Sequence, residues 1–207
     1  MPREMRLVLA VILLALLAPS AHAFPRLPYP IPPVKGNPAD ALVDVPIEGF
    51  LYDRATRCHP RPNPGVAALA AWLDANVRGV FWGSYRCERW GRDSASLHAE
   101  NRAIDWHLDV SVAADRRAAD RLLRLLLAPD KAGNVQALAR RMGVEELIWD
   151  CGYWGSGMPS FRPYGPCYTK RGKPRRDVDR TTAHKDHIHI GMTKAGARAR
   201  TSFWAAR

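Results

Sequence analysis

The chain has 207 residues, 47% of them hydrophobic and 25% charged, with a formal net charge of +11. That length suits one domain with a real core, and the excess of Lys and Arg draws the protein to polyanions: acidic wall polymers, membrane surfaces or nucleic acid. The one long apolar run, Leu7 to Leu17, falls short of the about 20 residues that cross a bilayer, which argues against a membrane-spanning helix.

In chain order, Arg3 and Arg6, the apolar run, and the small residues Ala21 and Ala23 of "APSAHA" compose a secretory signal peptide, residues 1–23, with cleavage after Ala23. The mature chain is expected to be exported and soluble. Loss of Arg3, Glu4 and Arg6 leaves it with 184 residues and a net charge of +10. Residues 24–39 form a proline-rich leader. Its "FPRLPYPIPPVKGNP" holds six prolines, which block helix and sheet hydrogen bonding and favour an extended spacer or strap.

The domain proper is expected over residues 40–207. "VAALAAWLDANV" sets Val66, Leu69, Ala70, Leu73 and Val77 at helical spacing behind an "NPG" start signal. "GVFWGSYRC" reads as a strand running into a loop. A second helix is expected over about 112–127, with Leu122, Leu123, Leu125 and Leu126 on one broad face, and a third over 135–142, ending at Gly143. "VEELIWD" follows as a strand. Beyond Tyr153 the composition is loop-like, and Gly152, Gly155 and Gly157, with no P-loop lysine or following helix, read as plain loop. Strand character returns in "HIHIGM". The fold class is α+β, a small, mostly antiparallel sheet flanked by helices in a single domain.

Four cysteines in an exported chain predict two disulfides, with three pairings open. Cys58 with Cys87 and Cys151 with Cys167 are favoured, because each closes a short local loop. Zinc thiolates are the competing reading, but no Cys-x-x-Cys spacing supports them.

"SLHAENRAID", residues 96–105, holds His98 and Asp105. After Arg102 the residues alternate, Ala103, Asp105 and His107 on one face and Ile104, Trp106 and Leu108 on the other. "AHKDHIHIGM" alternates likewise, His187 and His189 against Ile188 and Ile190. Two such strands side by side bring His98, Asp105 and His189 around one metal ion, with a fourth position left open, the catalytic pattern for zinc. Spacing alone leaves a plainer reading open, in which the histidines are incidental and Asp105 pairs with a cation such as Arg102.

Ser96, His98, Ala103 and Asp105 fit the S-x-H-x-x-G-x-A-x-D signature of the zinc D-alanyl-D-alanine carboxypeptidases and endopeptidases of peptidoglycan, a superfamily that shares its fold with the hedgehog signalling domain. The late "DHIHI" and the four cysteines are especially similar to the extensin-like C-terminal group of exported bacterial proteins, and "GSYRC" resembles an earlier S-x-Y-R element. The resemblance spans about residues 66–192. It implies His98, Asp105 and His189 as ligands of Zn2+, Asp186 as the general base, His187 as a second histidine beside the metal, and Arg86 as the residue that binds substrate and stabilises charge. Asn101 stands where the family has glycine, and Asn tolerates the left-handed backbone that the turn requires.

The implied activity is hydrolysis of amide bonds in peptidoglycan stem peptides, with peptidoglycan or another acidic wall polymer as the partner. A regular strand turns Asp186 to the face opposite His187 and His189, so it reaches the metal only through a bulge; His184 and Glu100 are the alternative bases. A non-catalytic wall-binding module that keeps fold and metal is the second reading. The third, a nucleic-acid binder, would use "TKRGKPRR" and "GARAR" as basic patches and Trp154, Phe161 and Tyr164 as stacking platforms; no nucleic-acid motif supports it, and nucleic acid is not the expected partner.

Overall fold

A computed structural model describes residues 24–206; the expected signal peptide lies outside them. The helices are α1 (Pro64–Asn76), α2 (Ala113–Leu127), α3 (Ala137–Met142) and the short α4 (Lys194–Ala197) and α5 (Ser202–Ala205). The strands are β1 (Val80–Gly83), β2 (Arg89–Gly91), β3 (Ser94–Ala95), β4 (Ala103–His107), β5 (Val144–Trp149), β6 (Gly152–Gly155), β7 (Arg162–Pro163) and β8 (His187–Met192). Six of them form one sheet in the order β1-β4-β8-β5-β6-β7, antiparallel throughout, while β2 and β3 make a separate ribbon. This is the α+β single domain that the patterning predicts.

Proline at the first position starts α1, where its missing N–H costs nothing. Val66, Leu69, Trp72 and Leu73 of α1 enter the core, as do Ala118, Ala119, Leu122, Leu123, Leu126 and Leu127 of α2. Leu125 is only partly buried, because the turn of a helix carries it to the flank of the apolar stripe that Leu122 and Leu126 define. These helices share one hydrophobic cluster with Ile104, Trp106, Leu147, Ile188, Ile190 and Met192 of the sheet.

Residues 152–155 depart from the loop reading. They form β6, and Trp154 is buried in the core. The reason is a two-residue hairpin. Trp149 pairs with Gly152, and between them Asp150 and Cys151 both take positive φ, 44° and 61°, the backbone of a tight turn matched to strand twist. Gly152 also lets Phe24 and Pro25 lie directly on β6. From there residues 24–31 run without helix or strand, and Phe24, Leu27 and Ile31 pack against the core.

Cys58 bonds Cys87 and Cys151 bonds Cys167, the two favoured pairings, and no cysteine is free to serve as a thiolate ligand. Two disulfides suit an oxidising compartment. Among the described residues no helix is long and apolar enough to cross a membrane.

Candidate metal centre

Two central strands and one turn build the site. β4 and β8 pair with Asp105 opposite His189 and His107 opposite His187. Their alternate residues, Ile104, Trp106, Ile188 and Ile190, belong to the core, so the carboxylate and imidazoles project from the other face. His98 comes from the 3-10 turn Leu97–Glu100, whose first N–H groups include that of His98, donated to Ser96 Oγ. Asn101 ends the turn in the left-handed region, φ 52° and ψ 42°, as its side chain permits. A Cβ at Gly191 of β8 would collide with Leu97 Cδ1, so bare backbone there is what lets the turn settle onto the sheet.

His98 Nε2 lies 3.0 Å from Asp105 Oδ1 and 3.0 Å from His189 Nδ1, and His189 Nδ1 lies 3.4 Å from Asp105 Oδ1. All three residues are buried, and their ligand atoms fall within 4.8 Å of one another. The remaining ring nitrogens face outward. His98 Nδ1 donates to the Ser84 carbonyl at 3.0 Å; His189 Nε2 has no hydrogen-bond partner among the described residues but lies at ion-pair distance, 3.2 Å, from Glu146 Oε1, whose other oxygen accepts from the Tyr52 hydroxyl at 2.8 Å. With the outer nitrogens carrying the protons, His98 Nε2 and His189 Nδ1 are lone-pair donors for a metal ion; with the inner nitrogens protonated, they donate to Asp105 instead.

Burial disfavours charge on Asp105, but hydrogen bonds from His189 and His98 outweigh it and hold the carboxyl well below its usual range. Burial likewise opposes protonation of His189, yet Asp105 and Glu146 raise it to about 9. His98 is pushed down by burial, against the pull of Asp105. The cluster thus sets one ionised carboxylate between two buried imidazoles, a group of ligand atoms that could hold a metal ion.

His187 adjoins the cluster. Its Nδ1 donates to Asp186 Oδ1 at 2.8 Å, while its Nε2 is buried, has no hydrogen-bond partner among the described residues and lies 3.5 Å from Asp105 Oδ1. Asp186 stands behind it, with Oδ2 accepting from Thr181 Oγ1 at 2.6 Å. The expected base is therefore engaged with Thr181 and His187 rather than aimed at the cluster, as strand alternation dictates. Of the alternatives, His184 packs on His187 with ring centroids 4.6 Å apart and is driven down to about 2 by burial and the neighbouring His189 and His187. Glu100 turns elsewhere, accepting from the Thr56 N–H at 2.9 Å and from Arg102 at 3.0 Å.

Arg86 reaches the rim, Nη1 3.1 Å from Asp105 Oδ2 and Nε 3.3 Å from Glu88, with half of its side chain open to solvent. Three features escaped the sequence. Glu146 backs His189; its signal was the charged pair Glu145–Glu146 inside an otherwise apolar strand. The Ser84 carbonyl, a backbone group, had none. Trp82 of β1 stacks on His107 at 4.4 Å and lies 5.9 Å from His187, while staying half exposed beside the site.

The chain matches no family model, no curated protein and no solved structure. The donor set itself carries the functional reading. Two imidazole nitrogens and one carboxylate oxygen, all buried, are a donor set that could hold a metal ion, and His187 Nε2, without a hydrogen-bond partner among the described residues, adjoins them. Of the three aromatic residues considered as stacking platforms for nucleic acid, Trp154 and Phe161 are buried, and Tyr164 is partly buried, its ring 5.1 Å from that of His184.

Proposed function

We propose that this chain is an exported zinc-dependent hydrolase of amide bonds in peptidoglycan stem peptides, related to the zinc D-alanyl-D-alanine peptidases and the extensin-like group. The observation that carries the reading is the convergence of His98 Nε2, Asp105 Oδ1 and His189 Nδ1 on one buried point, beside an imidazole with a free nitrogen. A zinc ion held by those three atoms would supply a Lewis acid, polarising a carbonyl and making water nucleophilic near neutral pH.

The residues around it divide the remaining work. Asp186 fixes the proton of His187 on Nδ1, leaving Nε2 as the base that takes a proton from water and returns it to the leaving amine. This moves the role expected of Asp186 onto His187, with Asp186 as its orienting partner. Arg86 stands where its guanidinium can face the developing oxyanion or a substrate carboxylate. The signal peptide expected from the sequence and the two disulfides agree with a substrate in the cell wall, and the net positive charge agrees with an acidic polymer.

A second reading, a wall-binding module that keeps the metal without catalysis, draws on the placement of Asp186 away from the cluster. Metal analysis of wild type and His98→Ala tests the common ground: one zinc per chain is expected, lost in the variant, and absence of zinc uptake by wild type would sink both readings. Peptidoglycan fragments then divide them, with cleavage that disappears in His187→Ala expected of the enzyme and none of the module.

A further inference from the structure

The turn that carries His98 also carries Glu100, and Glu100 lines a cavity of about 300 Å³ that shares no lining residue with the metal cluster. Five cationic side chains surround it: Arg57, Arg61, Arg102, Lys194 and Arg198. Arg102 is buried and spent on Glu100 at 3.0 Å and Glu145 at 2.8 Å. Arg57, Arg61 and Arg198 make no ion pair among the described residues, and Lys194 contributes only its field, which helps hold Glu100 below its ordinary range.

The backbones bearing these charges are pinned although their side chains are free. The Cys58–Cys87 bridge adjoins Arg57, and the Thr56 N–H is tied to Glu100. The Arg61 carbonyl accepts from Asn101 Nδ2 at 3.1 Å, and the Lys194 N–H donates to Asp53 Oδ2 at 2.8 Å. Arg198 closes α4 through its own N–H. The first turn of α1 opens at Asn63 on the same cavity, adding the positive end of a helix dipole. The four side chains are exposed and screened by solvent, but their pinned backbones set them around one concavity, where an anion is attracted to all of them at once.

We propose that this cavity is a second binding site, separate from the metal centre, for an oxyanion of the phosphate class. One carboxylate would leave most of the charge unanswered, whereas a phosphate carries about two charges and three acceptor oxygens suited to the guanidinium fork. The site does not depend on the chain being a peptidase.

Calorimetric titration of the purified protein with inorganic phosphate and pyrophosphate, in chloride buffer of constant ionic strength, tests it. Binding is expected in wild type and in chelator-treated protein alike. Arg57→Glu/Arg198→Glu should weaken it by about tenfold or more. Lys170→Glu/Arg171→Glu, the same charge change on an exposed loop, should leave it within about twofold, as expected of general screening alone. Should the double reversal fail to fold by circular dichroism, Arg57→Gln with Arg198→Gln replaces it, with the same direction expected. No binding by wild type, equal loss in the two charge-reversed proteins, loss on chelation, or competition by acetate as strong as by phosphate would each overturn the proposal. Competition by glycerol 3-phosphate assigns a terminal phosphate, and competition by a glycerol phosphodiester an in-chain one.

Discussion

The two faces of the β4–β8 pair are built from alternate residues of the same two strands and do opposite things. On one face Ile104, Trp106, Ile188 and Ile190 disappear into the core. On the other Asp105, His187 and His189 are just as buried, yet they turn their polar atoms toward one another and toward His98. Burial on the first face stabilises the fold through lost apolar contact with water. Burial on the second removes hydration from a carboxylate and three imidazoles, which costs stability unless those groups are satisfied by one another or by an ion. Equal burial therefore has a structural meaning on one side of the strand pair and a chemical meaning on the other.

Substitutions can force the two faces apart. Asp105→Asn should give the largest change, reducing zinc affinity by more than about 100-fold, beyond the loss of any outer partner, and amide hydrolysis with it; retention of stoichiometric zinc in that variant would contradict the ligand assignment. On the apolar face, Ile188→Ala should cost about 2–5 kcal/mol in denaturant unfolding while the folded protein still takes up zinc. Glu146→Gln leaves the three inner ligands intact but loosens His189, and a drop of about 10–100-fold in zinc affinity is expected from competition with a chelating dye. Asp186→Asn should be the mildest for the metal, with zinc content unchanged and the hydrolysis rate lowered by about 10–100-fold as His187 loses its fixed proton. If Asp186→Asn instead strips the zinc, the orienting role given to Asp186 falls.

Much of this comparison is written in the period of the sequence. Strict alternation over residues 103–108 and 187–190 fixes which side chains share a face, so Asp105 could be set with His187 and His189; His98, outside both runs, was assigned as a fellow ligand by the family resemblance. The helices were legible for the same reason, from their leucine spacing. The β5–β6 hairpin was not, because Asp150 and Cys151 supply the two left-handed residues that a glycine usually announces. Glu146 was hidden by topology: nothing local says that β5 lies beside β8. The basic cavity was hidden by distance, since Arg57 and Arg61 meet Lys194 and Arg198 only after the whole sheet is assembled.

Strand order has one more consequence, for a chain made from its amino end. β8 comes last of the strands in sequence, residues 187–192 of 207, yet it lies in the middle of the sheet, between β4 and β5. Without β8, the β1–β4 pair and the β5–β6–β7 ribbon share no edge, and His98 and Asp105 lack their third partner. One strand thus both joins the halves of the sheet and supplies His189, so a chain truncated before His187 should have neither the closed sheet nor the candidate metal centre.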